Sequence, residues 1–358
     1  MIDPEEQRTG LSTSGPLFSC RNNEKEMGMY MKKGKLNLIT DVPGVRVGHV
    51  TLNETRSDKD TVRTGVTAII PHEGNCFEAK VPAASFVLNG FGKTVGLIQI
   101  EELGLLESPI MLTNTFSVAA VLQGTLNWML RQNPAIGDST SSLNLVVAEC
   151  NDSYLNSMRL MAVQPKHAEQ AINQAKKDFA QGAIGAGNGM ICYGVKGGIG
   201  SASRVAEHNG SAFTIGILAL TNFGRKEEIA IANWLPDASA PEKPDGSVIV
   251  VLATDAPVNS RQLKRLAKRA AIGLGRTGTH VHNGSGDIII AFSNASTVPH
   301  TSDKIFVEEQ TIRDDHPIMA ELFQATIEAA EEAVYQSLFH ASTTTGRLGR
   351  KVEKGEFL

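Results

Sequence analysis

Val248-Ile-Val-Val-Leu252 restricts the fold of this 358-residue chain more than any other stretch. Side chains along a strand leave alternate faces, so an unbroken apolar, β-branched run predicts a strand covered on both sides. The chain must therefore lay further layers over both faces of the sheet that holds it. Immediately before the run stands Asp245-Gly246-Ser247. Gly246 has no Cβ to shield its carbonyl and tolerates strained backbone angles, and the strand behind it holds Ser247 rigidly. Two readings of this junction follow. It is a turn that opens a strand, or a place where Ser247 cuts its own peptide bond. The second reading frees an α-amine of reference pKa about 7.7–8.0 beside the hydroxyl, suited to act as a local general base.

Composition narrows the class. An apolar content of 41% supports a substantial core in one or two domains. A net charge of −4 and a pI near 6.2 supply no basic field for nucleic acid. Cys20, Cys76, Cys150 and Cys192 are scattered, with neither metal-ligand spacing nor a disulfide framework, which fits a reducing compartment. No uncharged apolar run reaches 18 residues, so no membrane span is expected. Glu5 and Glu6 stand where a signal peptide would be basic, and the expected location is the cytoplasm.

The pattern along the chain predicts one scaffold. Residues 1–35 are polar and turn-rich and read as a poorly ordered extension, with Met27, Met29 and Met31 as alternative starts. Short β-like runs fill Val42–Val87. Helices are expected over Val118–Leu130, His167–Gln181 and Gln262–Leu274, the last capped by Ser260, and again after Pro317. Leu145–Ala148 reads as a buried strand that delivers Glu149. Asn233–Asp245, rich in Pro, Asp and Ala, reads as an exposed segment before the Gly246–Ser247 bond. Residues 36–341 form the expected single domain and 342–358 a tail. Strands clustered between long helices imply sheets covered by helices.

Several polar groups stand at strand mouths. In Asn283-Gly-Ser-Gly-Asp287, alternation projects Ser285 and Asp287 from one face, either as hairpin residues or as a hydroxyl–carboxylate pair able to tune a nucleophile. Asn222, in Thr221-Asn-Phe-Gly224, is a turn asparagine or an amide able to donate to an oxyanion. Glu149 is a carboxylate that needs a partner, either a structural one or a bound cation.

Other motifs are better read as structure. Gly90-Phe-Gly-Lys-Thr94 resembles the end of a phosphate loop, but Val87 occupies the position of its first glycine. Gly197-Gly-Ile-Gly-Ser201 misses the dinucleotide fingerprint. His280 and His282 lack a third ligand, and His72-Glu73 lacks a second histidine, so no metal is expected. The basic stripe Arg261, Lys264, Arg265, Lys268 and Arg269 alternates with Leu263, Leu266, Ala270 and Leu274, which marks a solvated or subunit-facing helix surface.

The ordered series of motifs settles which readings to prefer. Ile39-Thr-Asp-Val-Pro-Gly-Val-Arg-Val-Gly-His49, Arg63–Pro71, Asn89-Gly90, Thr113-Asn-Thr115, Glu149-Cys-Asn-Asp152, Gly197–Ser201, Thr221–Gly224, Ala253-Thr-Asp-Ala-Pro257 and Gly278–Asp287 occur in sequence from about Leu38 to Ala341. In this the chain resembles the self-processing serine aminopeptidases, the family of D-stereospecific aminopeptidase/D-esterase and the β-peptidyl aminopeptidases. The resemblance implies a four-layer α-β-β-α sandwich, similar to N-terminal-nucleophile hydrolases but differently connected. It implies autocleavage between Gly246 and Ser247, with Ser247 as nucleophile, Ser285 and Asp287 assisting, Asn222 stabilising the oxyanion and Glu149 holding the substrate's free amine. Some relatives carry glutamate at Asp287 and an aromatic residue at Asn151. The implied substrates are small peptides, amides and esters, including those of D- or β-amino acids, with no cofactor. The implied assembly is a homotetramer of processed heterodimers. A self-processing acyltransferase, or an unprocessed homologue acting as a binding or assembly protein, are the alternatives.

Overall fold

The computed structural model describes residues 31–230, 246–306 and 309–356. Most of the expected N-terminal extension and the expected exposed segment Asn233–Asp245 lie outside the described residues.

Two sheets form the centre. The first contains β1 (Arg46–Thr55), β2 (Thr61–Ile70), β4 (Ile110–Asn114) and β5 (Val146–Cys150) in the order β1-β2-β4-β5, antiparallel except for the parallel pair β4/β5. The second contains β3 (Ala79–Gly90), β6 (Gly198–His208), β7 (Ser211–Asn222), β8 (Ser247–Thr254) and β9 (Gly286–Ser293) in the order β3-β9-β8-β7-β6. Its one parallel contact among these strands is β8/β9. The apolar run of β8 is buried throughout, and its alternation divides it between two cores. Ile249, Val251 and Ala253 face the first sheet, meeting Val47, Ile69, Leu112 and Val146. Val248, Val250 and Leu252 face the helices.

Helices cover both outer faces. Those of the first sheet are α2 (Val118–Gln132) and α3 (Pro165–Asn173), sealed by Val66, Ala68, Met111 and Val147 beneath them. Over the second sheet lie α4 (Ser260–Arg276), against β3 and β9, and α5 (Ile318–Phe339), against β6 and β7. The short helix α1 (Leu97–Leu103) leads back from β3. The result is the four-layer α-β-β-α sandwich.

Three local expectations differ from the structure. The helix expected over His167–Gln181 ends at Asn173, because the next residues pair with β1 through reciprocal Val47–Lys176 backbone hydrogen bonds of 3.0 Å. That turn also seats Phe179 in the core between the sheets, which a continuing helix would not do. Helix α4 is capped by Asn259 rather than Ser260, its side chain accepting from Gln262 N at 3.0 Å. Residues 42–87 hold strands of 10 to 12 residues rather than short runs.

The outward basic stripe of α4 finds partners within the chain. Arg261 and Arg265 pair with Asp314, Lys264 pairs with Glu101, and Arg269 lies 4.0 Å over the Phe323 ring. At the C-terminal end, Thr344–Thr345 pairs with Lys351–Val352, and Val352 packs on Leu155 and Ile191. Among the described residues no helix is long and apolar enough to cross a membrane.

His49, on β1, makes folding sensitive to acid. Its Nδ1 lies 2.9 Å from Thr67 Oγ1 and its ring lies against Phe179, and burial lowers its pKa from 6.5 to about 4. The neutral ring is favoured in the folded chain, while the unfolded chain takes up a proton below 6.5. Stability is therefore complete above pH 6.5 and falls as the pH drops toward 4, by about 3 kcal/mol from this residue. Urea unfolding of single-chain Ser247→Ala protein between pH 7 and pH 4.5 should show this loss, and His49→Gln in the same background should remove most of it.

Candidate active site

Strand register assembles the site. The antiparallel pairing of β7 with β8 sets Asn222 opposite Ser247, and the parallel pairing of β8 with β9 sets Gly286 on its other side. The last residue of β7 and the first residues of β8 and β9 thus meet at one end of the second sheet. Ser247 is buried, and its Oγ accepts from Gly286 N at 3.2 Å. Gly246 is buried as well. A Cβ added there would stand 1.8 Å from the Asn222 carbonyl oxygen, so no side chain fits at the residue preceding the serine.

The orientation of the Asn222 amide is fixed from behind. Its Oδ1 accepts from Ile191 N at 3.0 Å, which turns Nδ2 the other way to donate to the Asn151 carbonyl at 2.9 Å. The sequence drew no attention to the group that holds Ile191. Lys196 is fully buried, and its ammonium donates to the carbonyls of Gly187, Met190 and Gly197 at 3.1, 2.7 and 2.7 Å. Three carbonyl acceptors compensate the buried charge and tie the 187–197 loop into one piece around the end of β7.

Ser285 and Asp287 point together, as strand alternation predicts. Ser285 Oγ donates to Asp287 Oδ1 at 2.6 Å, and both residues are buried. Burial raises the Asp287 carboxyl to about 6, against the opposing hydrogen bond from Ser285, and its Oδ2 accepts no hydrogen bond. Asn89 fixes the turn before β9, its Nδ2 donating to the carbonyls of His282 and Asn283 at 3.1 and 3.0 Å and also to that of Ser285.

Glu149 comes from the other sheet. It lies within β5 rather than after it, almost fully buried, and accepts from Lys93 N at 2.9 Å through Oε1 and from the Thr115 hydroxyl through Oε2. Gly92 joins this carboxylate to the serine side. A Cβ built there would lie 3.7 Å from Glu149 Oε1 and 3.8 Å from Gly286 Cα. The segment Gly90–Thr94, which looked like part of a phosphate loop, thus gives its backbone N–H to a carboxylate of the protein itself. Nearby Asp152 is fully buried, accepts from Asn156 Nδ2 at 2.9 Å, and is raised to about 7 by burial, with the Glu149 charge adding to the effect. His282 Nε2 lies 2.6 Å from Glu228 Oε1, with His280 at 3.6 Å from the same oxygen. Among the described residues no group of three or more His, Cys, Asp or Glu side chains is arranged to hold a metal ion.

A sequence profile described as peptidase family S58 matches residues 37–352. The chain belongs to peptidase family S58. It is 37% identical to the beta-peptidyl aminopeptidase BapA of Sphingosinicella microcystinivorans over 96% of this chain and 92% of that protein. Among solved structures, the PH0078 protein from Pyrococcus horikoshii OT3 superposes with a TM-score of 0.85 at 47% identity, covering 92% of this chain and 95% of that one. The L-aminopeptidase D-Ala-esterase/amidase from Ochrobactrum anthropi, described as a prototype for the serine aminopeptidases and a new variant of the Ntn hydrolase fold, superposes with a TM-score of 0.84 at 35% identity, covering 91% and 93%. This S58 chain has the same α-β-β-α arrangement of layers that its sequence implies.

The Lys196 clamp carries a specific expectation. Lys196→Met removes the ammonium that three buried carbonyls share and loosens Ile191, hence the Asn222 amide. The predicted result in steady-state amide hydrolysis is a kcat about tenfold lower or worse, with KM nearly unchanged.

Proposed function

We propose that this S58 serine aminopeptidase is made as an inactive precursor that cuts itself between Gly246 and Ser247. The observation that carries the proposal is the register of Ser247 between Asn222 and Gly286, directly after a glycine with no room for a side chain. Ser247 Oγ attacks the Gly246 carbonyl carbon, forming a C–O bond as the C–N bond breaks, and the hydroxyl proton passes to the departing nitrogen. Water then hydrolyses the ester, leaving a Gly246 carboxylate and Ser247 with a free α-amine. The fragments, of 246 and 112 residues, stay joined through β7/β8 and β3/β9 pairing.

In the mature enzyme the α-amine takes the Ser247 proton as Oγ attacks a substrate carbonyl. Asn222 Nδ2 donates to the developing oxyanion, and Ser285 with Asp287 relays the proton to the leaving amine. An acyl-enzyme forms on Oγ, and water releases it. Glu149 receives the ammonium of the substrate's first residue, which restricts the enzyme to chain ends. Its two hydrogen-bonded oxygens and its position across Gly92 from Gly286 support this role. Small peptides, amides and esters, including those of β- or D-residues, are the proposed substrates, in line with the names of the relatives. The acyltransferase and binding-protein alternatives gain no support from those names. We place the enzyme in the cytoplasm as a homotetramer of processed heterodimers. The scattered cysteines, without a disulfide framework in their spacing, support the reducing location, and the family resemblance supports the assembly.

Intact-mass measurement under denaturing conditions tests the cut. Wild type should give two polypeptides matching cleavage after Gly246, and Ser247→Ala a single inactive chain. A single chain in active wild type would refute the proposal. The raised Asp287 carboxyl adds a second acid limb to the pH profile, below the one set by the Ser247 α-amine. As its ionised form assists the serine, kcat/KM should fall as pH drops through about 6, and Asp287→Asn should abolish that limb together with most of the activity.

A further inference from the structure

A second concave site lies on the opposite side of the first sheet, where the start of β1 meets the ends of α2 and α3. The cavity is about 350 Å³, and none of its lining residues belongs to the site around Ser247. Arg46 stands in its wall. Its Nε is buried without a hydrogen-bond partner, and no carboxylate among the described residues pairs with its guanidinium. The neighbouring Cys76 thiol is pushed up to about 12 by burial, so it is neutral and offers Arg46 no negative charge. An arginine fork that lines a cavity and is engaged by no carboxylate of the described residues is a prepared receptor for a planar carboxylate.

The other walls define the rest of the ligand. Ile70, Pro109, Ile172 and the Trp128 ring are apolar. Trp128 is held in place by Nε1 donating to Asn173 Oδ1 at 2.9 Å. Glu73, exposed and without an ion pair among the described residues, supplies one negative charge. The C-terminal ends of α2 and α3, at Gln132 and Asn173, add negative potential on that side. One cation, one anion and an apolar wall match a zwitterion, whereas Glu73 and the helix ends oppose a multiply charged anion such as phosphate. The volume falls at the small end of ligand pockets, about 300–1,000 Å³.

We infer that this cavity binds a free amino acid with an apolar side chain, its carboxylate on Arg46, its ammonium toward Glu73 and its side chain against Trp128. The inference concerns a site separate from the catalytic one and stands on the cavity alone. If the function proposed above is right, such ligands are also the enzyme's products, and the cavity senses them.

Trp128 is one of two tryptophans, the other being Trp234, so its fluorescence in a Ser247→Ala, Trp234→Phe protein reports this cavity without turnover. Titration with L-leucine and L-phenylalanine should give a saturable change. Arg46→Met should weaken it at least tenfold. Glu73→Gln should weaken amino-acid binding several-fold while leaving 3-phenylpropanoate, which has no ammonium, unaffected. Phenethylamine, which has no carboxylate, should bind at least tenfold more weakly than L-phenylalanine. Circular dichroism of each variant checks that the fold is retained. No Trp128 response to either amino acid, an equal response in Arg46→Met, or stronger binding of inorganic phosphate would each overturn the inference.

Discussion

The pairing of β8 with a different neighbour on each side is the constraint on which the rest of this structure depends. Antiparallel contact with β7 and parallel contact with β9 bring one strand end and two strand beginnings to a single point. A slip of one residue along β8 would turn Ser247 to the opposite face and at the same time move Val248, Val250 and Leu252 out of the helix-facing core. Both faces of β8 are buried, so such a slip carries the cost of misplacing every side chain on it. The packing that stabilises the sandwich is therefore also what positions the serine.

Buried polar groups refine that placement. Lys196 organises the loop that orients Asn222, Asn89 organises the turn that presents Ser285, and Glu149 is held by a backbone N–H and a hydroxyl. Away from the site, Arg204 is buried between Glu328 and Glu332 of α5, and Met31 N donates to the same Glu328 at 2.8 Å. This cluster ties the first described residues to the helix that covers β6 and β7. Lys196, Glu149 and Arg204 each keep a charge from water and meet it with several partners, so removing one partner leaves an uncompensated group. Asp287 shows the opposite condition: burial raises its carboxyl to about 6, and the hydrogen bond from Ser285 to one oxygen offsets only part of that.

Much of this was legible in the sequence because it rests on local periodicity. The unbroken apolar run of β8 required layers on both sides, and Ser285 and Asp287 share a face by simple alternation. Helix α2 was visible in the spacing of Val121, Leu122, Leu126 and Leu130. The misread parts depend on distant partners. The end of α3 is decided by pairing with Val47, more than a hundred residues away, and no feature between His167 and Gln181 announces it. Lys196 carries no signal in the sequence, since its three acceptors are backbone carbonyls whose convergence no motif encodes. Gly90–Thr94 misled in a useful way: the segment does bring a backbone N–H, that of Lys93, to an anion, but the anion is Glu149. Arg46 sat inside a recognised motif, and its lack of a counter-charge appears only in three dimensions.

The central claim is that a new amino group at Ser247 forms the reactive centre. It is tested most directly by mapping free α-amines on the active enzyme. Native protein would be labelled by reductive dimethylation, digested and sequenced by mass spectrometry, with residual activity followed in parallel. The account predicts a labelled terminus beginning Ser247-Val-Ile-Val and a loss of activity that tracks its labelling. Full activity in protein whose only labelled α-amine is the original N-terminus would contradict it.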